Sequence, residues 1–268
     1  MPASPHLLLT GATGGLGQAL AYAYAGPGVR VSLTGRDPDR LAALAAICQS
    51  LGATVATQAL DVRDLDRLRT WILNTDAAHP VTTGIACAGV SSAIGPDGAP
   101  EPIKTVRRVF AVNALAAVET ASALAEVMRA RRAGRIGIIS SLGGWHGTPS
   151  SPSYSASKSA ARIYGEALRG ALAPSGVSVT VVSPGFVDSP MSRRYHGAKP
   201  LLWNQDRAAR VIRRGIERGT PRVNFPWPLV LGNILLWLLP AHLTDAILVR
   251  HFAFTVTPDA EGMAERGG

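Results

Sequence analysis

A chain of 268 residues with 47% hydrophobic and 17% charged side chains can bury a substantial interior, which excludes a disordered segment and argues for a single domain over 1–268. Cys48 and Cys87 are its only cysteines and have no metal-ligand spacing, so neither a disulfide framework nor a cysteine zinc site is expected, and no metal. The net charge of +9 comes largely from scattered Arg residues without interleaved aromatics; this speaks against nucleic acid and leaves an anionic membrane surface or a phosphate-bearing ligand.

The opening "MPASPHLLLTG" has too short an apolar run for a secretory signal and no basic region before it, so a cytoplasmic protein is expected. "HLLLTGATGGLGQALAYAYAG" then reads as a buried strand, a glycine turn and a helix ending near Gly26. "VRVSLTGR" is strand-like, and "DPDRLAALAAICQSLG" has Asp37 as N-cap, Pro38 in first position and Gly52 as stop. The alternation continues: strand "ATVATQALD", helix 64–77, strand "VTTGIACAG", one long helix 102–132, strand "GRIGIISS", helix 153–173, strand "VSVTVVSPG". Strands alternating with helices, several of them apolar throughout, predict an α/β fold: a Rossmann-type, doubly wound parallel sheet with helices on both faces.

After Pro184 the rhythm stops. Residues 189–203 lack periodicity and read as a substrate loop, followed by a helix near 205–218 and a last strand "RVNFP". "FPWPLVLGNILLWLLPAHLTDAILV" is the most apolar stretch, a small helical extension over 225–250. Pro226, Pro228, Asn233 and Pro240 interrupt it, leaving less than the ~20 apolar residues of a spanning helix. Three roles stay open for it: packing on a partner subunit, walling a lipophilic pocket, or lying on a membrane as a peripheral contact, at the inner face if so.

Chemistry concentrates in two motifs. In "TGATGGLG" the glycines permit a tight turn and close approach, while the helix that follows aims its N–H groups and positive dipole end at an anion; this is a pyrophosphate cradle. In "SPSYSASKSA" Tyr154 and Lys158 lie one helical turn apart among small residues. A cation beside a phenol favours the phenolate, so Tyr154 is expected to have a lowered pKa and to trade a proton with an alcohol or ketone oxygen.

Gly11, Gly15 and Gly17, as "TGxxxGxG", together with "YSASK" at 154–158, resemble the short-chain dehydrogenase/reductase family over nearly the whole chain up to about residue 190. The resemblance implies Tyr154 as general acid/base, Lys158 tuning it and holding the nicotinamide ribose, Ser141 binding the substrate oxygen, and Asn113 in a proton relay. Ser140 is the rival of Ser141, but alternation along a strand turns the two apart. The resemblance further implies a cofactor site comprising Thr10, Gly11, Thr13, Gly15, Leu16 and Gly17 of the turn, then Asp61, Val62, Ala88 and Gly89. Pro184, Gly185, Val187 and Ser189 complete it, with Ser189 where threonine is usual. Asn113, Tyr154 and Lys158 contact the cofactor too. One departure is "CAG" at 87–89 where the family has "NAG"; Cys87 reads as a buried core residue.

Cofactor choice turns on the end of the second strand. An acid there binds a ribose 2′-hydroxyl and a guanidinium accommodates a 2′-phosphate; "SLTGRD" offers Thr34, Gly35 and then Arg36. NADP(H) is expected, with Asp37 keeping NAD(H) as the alternative. The expected function is hydride transfer to or from a carbonyl or secondary alcohol, lipophilic or bulky, in a homodimer or homotetramer; the alternative is a non-catalytic nucleotide-binding scaffold or redox sensor. Residues 142–150 and 189–203 would shape the pocket, with Trp145 and Trp203 as apolar bulk. His146, Arg193 and Arg194 would meet an anion or remain solvated.

Overall fold

Three leucines in succession set the layering. In β1 (His6–Leu9), Leu7 and Leu9 point into one apolar cluster and Leu8 into the other, because successive strand side chains face opposite ways. A sheet buried on both faces follows. The computed structural model describes residues 4–95, 98–252, 254–257 and 261.

The other long strands are β2 (Arg30–Gly35), β3 (Thr54–Ala59), β4 (Thr83–Ala86), β5 (Gly134–Ile139), β6 (Val177–Pro184) and β8 (Arg222–Phe225). With β1 they form one seven-stranded sheet in the order β3-β2-β1-β4-β5-β6-β8, every pairing parallel. The order reverses between β1 and β4, so the chain is doubly wound and a crevice opens at the carboxyl ends of these strands. One face is covered by α1 (Gly15–Tyr24), α2 (Pro38–Ser50) and α8 (Gln205–Glu217), through Leu20, Leu41, Leu44 and Ile212. The other is covered by α3 (Leu65–Ala78), α5 (Ala116–Ala130) and α6 (Pro152–Leu172), through Leu68, Ile72, Leu124 and Ala161. A fully buried leucine contributes about 1.5–3 kcal/mol, so these two layers dominate the stability.

Local signals work as their chemistry requires. The Asp37 carboxylate accepts from the N–H groups of Asp39 and Arg40, Pro38 opens α2, and Gly52 takes a positive φ of 93° just beyond it. The helix expected over 102–132 runs unbroken over Ile103–Ala130, with a π turn, Ala111–Leu115, set between α4 (Ile103–Phe110) and α5. The whole run, Ile103–Ala130, is apolar and long enough to cross a membrane, but 61% of its most apolar window is buried against the sheet, as expected of a core helix.

The segment expected as an unstructured loop over 189–203 is also ordered. It holds α7 (Pro190–Arg193) and β7 (Tyr195–His196), the latter paired antiparallel with β9 (Thr255–Val256). Its base is closed by Trp203 donating to the Phe186 carbonyl and accepting from Asp188 N–H, both at 2.9 Å. The apolar extension forms α9 (Trp227–Leu236) and α10 (Ala241–Phe252), separated by a turn that ends at Pro240.

Candidate active site

The crevice at the carboxyl ends of the strands is a cavity of about 680 Å³, large enough for a dinucleotide's reactive half and a small molecule together. Its floor is the glycine turn. Gly11 has φ 65°, and a Cβ there would lie 2.5 Å from the Ala88 Cα; a Cβ on Gly17 would lie 2.2 Å from the Gly11 carbonyl oxygen. Gly11 is therefore required where the turn packs on the backbone after β4, and Gly17 where the turn packs on itself. No side chain caps the N-terminus of α1 and no acid sits in its first turn, so its positive end faces the cavity without a resident partner.

Most of the expected cofactor residues line this one cavity. Thr13, Gly15, Leu16, Arg36, Asp61 and Val62 surround one end; Ala88 and Gly89 follow β4, and Pro184, Gly185, Val187 and Ser189 close the opposite side. Thr10 does not line it. Thr10 is buried behind the wall, where its hydroxyl accepts from the N–H groups of Cys87 and Ala88 at 3.1 and 3.4 Å, tying β1 to the end of β4. Ser189 caps α7 through a reciprocal pair with Ser192.

Gly35 stands where an acid would bind a ribose. A Cβ there would fall 2.8 Å from the Thr13 Oγ1, so a side chain at this position would have to displace that of Thr13. Cations gather next to it. Arg36 contacts Glu261 at 2.7 Å and Arg63 contacts the same carboxylate at 3.0 Å. Burial pushes the Asp61 and Glu261 carboxyls up, yet hydrogen bonds and charge from their arginine partners outweigh it and hold both below the ordinary range. Arg40, which the sequence reading missed, lines the cavity and donates to the Thr13 carbonyl at 2.6 Å. Its signal was present: it lies four residues after Arg36, on the first turn of α2.

The opposite side of the crevice holds the expected Ser, Tyr and Lys side chains. α6 carries Tyr154 and Lys158 into the same cavity one turn apart, and Ser141 reaches it from the end of β5. Ser141 accepts from Gly143 N–H at 3.0 Å, and its hydroxyl acts on the phenol of Tyr154. Ser140 spends its hydroxyl on the Lys158 carbonyl at 2.8 Å. The two serines are thus separated as alternation requires.

One electrostatic expectation is corrected. Burial raises the Tyr154 phenol above its ordinary value near 10, and Ser141 only partly opposes the shift. The Lys158 ammonium donates to the Ile139 carbonyl at 2.9 Å, and burial brings its own pKa down to about 8. Spacing puts the cation beside the phenol's turn, but desolvation dominates both groups.

Asn113 is fully buried, outside the cavity wall, and its position explains the π turn. Its amide oxygen accepts from Val90 N–H at 2.8 Å; its NH₂ donates to the Val90 carbonyl at 2.9 Å and to Ser157 Oγ at 3.0 Å. The widened turn fastens the end of β4 to α6, within reach of Lys158: a Cβ on Gly89 would lie 3.3 Å from Lys158 Nζ and 3.5 Å from Asn113 Oδ1. A second clamp holds the start of α6. The Glu101 carboxylate accepts from Ser92 Oγ and, at 2.9 and 2.8 Å, from the N–H and Oγ of Ser153, the residue before Tyr154.

Cys87 is half-buried and lines the cavity, rather than belonging wholly to the core as expected; burial pushes its thiol up to about 11. Trp203 and Trp145 do not supply the pocket's bulk. Trp203 stacks on Phe225 at 4.5 Å with Arg207 over its other side, and Trp145 donates to Ser183 at 3.2 Å. Arg193 is paired with Asp188 at the surface, Arg194 lines the cavity, and His146 bonds the Asn233 carbonyl at 2.8 Å, joining α9 to the segment after β5. The apolar wall comes from elsewhere: Leu229 and Leu236 of α9, Ile247 and Leu248 of α10, then Phe252 and Phe254. Tyr195, packed edge-on against Phe254, adds a second phenol near Tyr154.

A doubly wound sheet with a glycine turn at one end of its crevice and a Ser, Tyr and Lys at the other defines the class of a dinucleotide-dependent oxidoreductase fold. The family described as short chain dehydrogenase matches residues 5–199, and the chain belongs to it. An uncharacterized oxidoreductase of Myxococcus xanthus is 36% identical over 240 residues, covering 89% of this chain and 94% of that protein. A protein named 11-beta-hydroxysteroid dehydrogenase 1A, from Arabidopsis thaliana, is 30% identical over 203 residues, covering 75% of this chain and 58% of that one. In fold, the chain is similar to a short-chain dehydrogenase from Sphingobium yanoikuyae solved in complex with NADPH, with a TM-score of 0.74 over 87% of this chain and 95% of the other at 24% identity.

Proposed function

We propose that the protein is an NADP(H)-dependent oxidoreductase that moves a hydride between nicotinamide and a lipophilic or bulky carbonyl or secondary alcohol. The observation that carries this reading is the convergence of Ser141, Tyr154 and Lys158 on the apolar end of a cavity whose other end is the glycine turn. A bound nicotinamide supplies or accepts the hydride. The chain's own groups do the rest: Ser141 Oγ bonds the substrate oxygen, Tyr154 Oη gives or takes its proton, and Lys158 stabilises the phenolate left behind. Asn113 holds the end of β4 against α6, so that the proton on Lys158 has a fixed path towards solvent.

Three observations support the finer parts. Arg36 and Arg63 already share an anion, the Glu261 carboxylate, beside a Gly35 that carries no acidic side chain; this suits a 2′-phosphate and hence NADP(H) over NAD(H). The α9–α10 wall offers aliphatic and aromatic surface, which suits a bulky apolar substrate, the class named for the Arabidopsis relative. Ile103, Leu115 and Ile163, exposed on α4, the π turn and α6, give the apolar surface for a homodimer or homotetramer.

The test is NADPH consumption across ketones, aldehydes and acyl-chain substrates, with NADH as control. Tyr154→Phe is expected to lower kcat by about 10²–10⁴ while NADPH still binds. Unchanged turnover in that variant would sink the mechanism, and NADPH binding without turnover on any carbonyl would favour a nucleotide-binding scaffold.

A further inference from the structure

We propose that the outer face of α9 and α10 docks on an anionic lipid surface, so that the protein attaches peripherally to a membrane over its own apolar cavity wall. The inference goes beyond the oxidoreductase reading and stands without it.

α9 is apolar nearly all round, yet not one of its ten residues is buried. Leu229, Asn233 and Leu236, spaced four and three apart, turn inward to the cavity; among the described residues none buries the outer positions Trp227, Leu231, Ile234 and Leu235. Trp227 at the start of this segment is 73% exposed, Trp237 just past its end 62%, and Leu238 76%. α10 repeats the pattern, with Ile247 and Leu248 inward while Leu243 and Val249 face out. A monomer does not ordinarily leave two successive helices so bare.

Charge identifies the occupant. From Pro226 to Val249 the only ionisable side chains are His242 and Asp245, and the exposed Arg250 stands at the end of this stretch, on a chain of net charge +9; Arg222, before it, is paired with Glu166 at 3.1 Å. An apolar face on a strongly cationic chain, with an arginine at its border, matches the acyl boundary and headgroups of an anionic bilayer. The two tryptophans sit where an indole prefers the interface. Helices of ten and twelve residues are too short to span, so they lie in the plane. The surface for self-association is furnished separately on α4 and α6. Because the inner sides of these helices wall the cavity, a lipophilic compound dissolved in the bilayer is one helical layer from Tyr154.

The experiment is co-sedimentation of the full chain with phosphatidylcholine vesicles, with and without phosphatidylglycerol, at low and high salt. Binding is expected to require phosphatidylglycerol and to weaken with salt. Leu235→Glu combined with Leu238→Glu, two exposed positions outside the cavity lining, is expected to weaken it by about tenfold or more, with thermal unfolding and NADPH binding as wild type. Absence of wild-type binding to either vesicle overturns the proposal. So does a double variant that binds like wild type, or one whose effect in light scattering is to dissociate an oligomer, which would assign the face to a second copy. None of these readouts involves turnover, so the catalytic reading and the docking proposal fail separately.

Discussion

The two ends of the cavity are built on different principles. At the end proposed for the cofactor the determinants are backbone: Gly11 lets the turn rest on the chain after β4, Gly17 lets it close on itself, Gly35 lets Thr13 rest on β2, and the uncapped start of α1 faces the space between. At the substrate end the determinants are side chains from distant segments, with Leu229, Leu236, Ile247 and Phe254 meeting residues of α6 that precede them by more than fifty positions. Backbone requirements tolerate almost no substitution, whereas a wall of aliphatic side chains tolerates many at small individual cost. On the proposed function, the first end would fix the cofactor class and the second would be free to vary with the substrate.

That contrast is open to direct attack. The largest effect is expected at the backbone end: Gly17→Ala puts a methyl 2.2 Å from the Gly11 carbonyl oxygen and is expected to cost about 1–3 kcal/mol or more, seen as a lower Tm together with lost NADPH binding. A variant that melts and binds like wild type would show the turn to be more yielding than its packing implies. Next comes Arg36→Ala, expected to raise the KM for NADPH by about tenfold to a hundredfold and leave that for NADH nearly unchanged, as for loss of a charge-assisted bond. Glu261→Gln is expected to move the NADPH value the other way; equal effects on both cofactors would remove the 2′-phosphate assignment.

At the side-chain end, Leu236→Ala is expected to reduce kcat/KM for long apolar carbonyls by about tenfold while sparing acetone-sized ones. The smallest effect is a pH limb. Burial favours the neutral amine of Lys158, so its charge is present below about 8 and lost above it. NADPH-dependent kcat/KM is therefore expected to fall as pH rises through about 8, and Lys158→Arg, whose guanidinium keeps its charge, is expected to flatten that limb. A profile level to pH 9.5 in the wild type would assign the charge a smaller part.

The sequence displayed the backbone end well and the side-chain end poorly, for a physical reason. Asp37, Pro38 and Gly52 mark α2 by local hydrogen bonding and φ preference, so they are readable one residue at a time. The π turn at Ala111–Leu115 is not: in a run where nearly every position is Ala, Val or Leu, the shift of one residue in the apolar stripe is masked, and the turn shows only in its wide backbone bond, Ala116 N–H to the Ala111 carbonyl. Trp203 looked like pocket bulk because size is visible in a sequence, whereas its stacking partner Phe225 is set by tertiary packing. The extension's pocket-wall role was one of three open readings, since an apolar helix declares that it needs a neighbour without naming which. The lowered phenol pKa followed from spacing alone and missed desolvation, which depends on everything around the group.

The contact between Thr13 and Gly35 also bears on how the proposed cofactor preference could be rewritten. An aspartate at position 35, the replacement that would supply a ribose acceptor, meets the Thr13 side chain at once. If the NADP(H) reading holds, conversion to the non-phosphorylated dinucleotide is expected to go further when residue 13 is shortened together with that change.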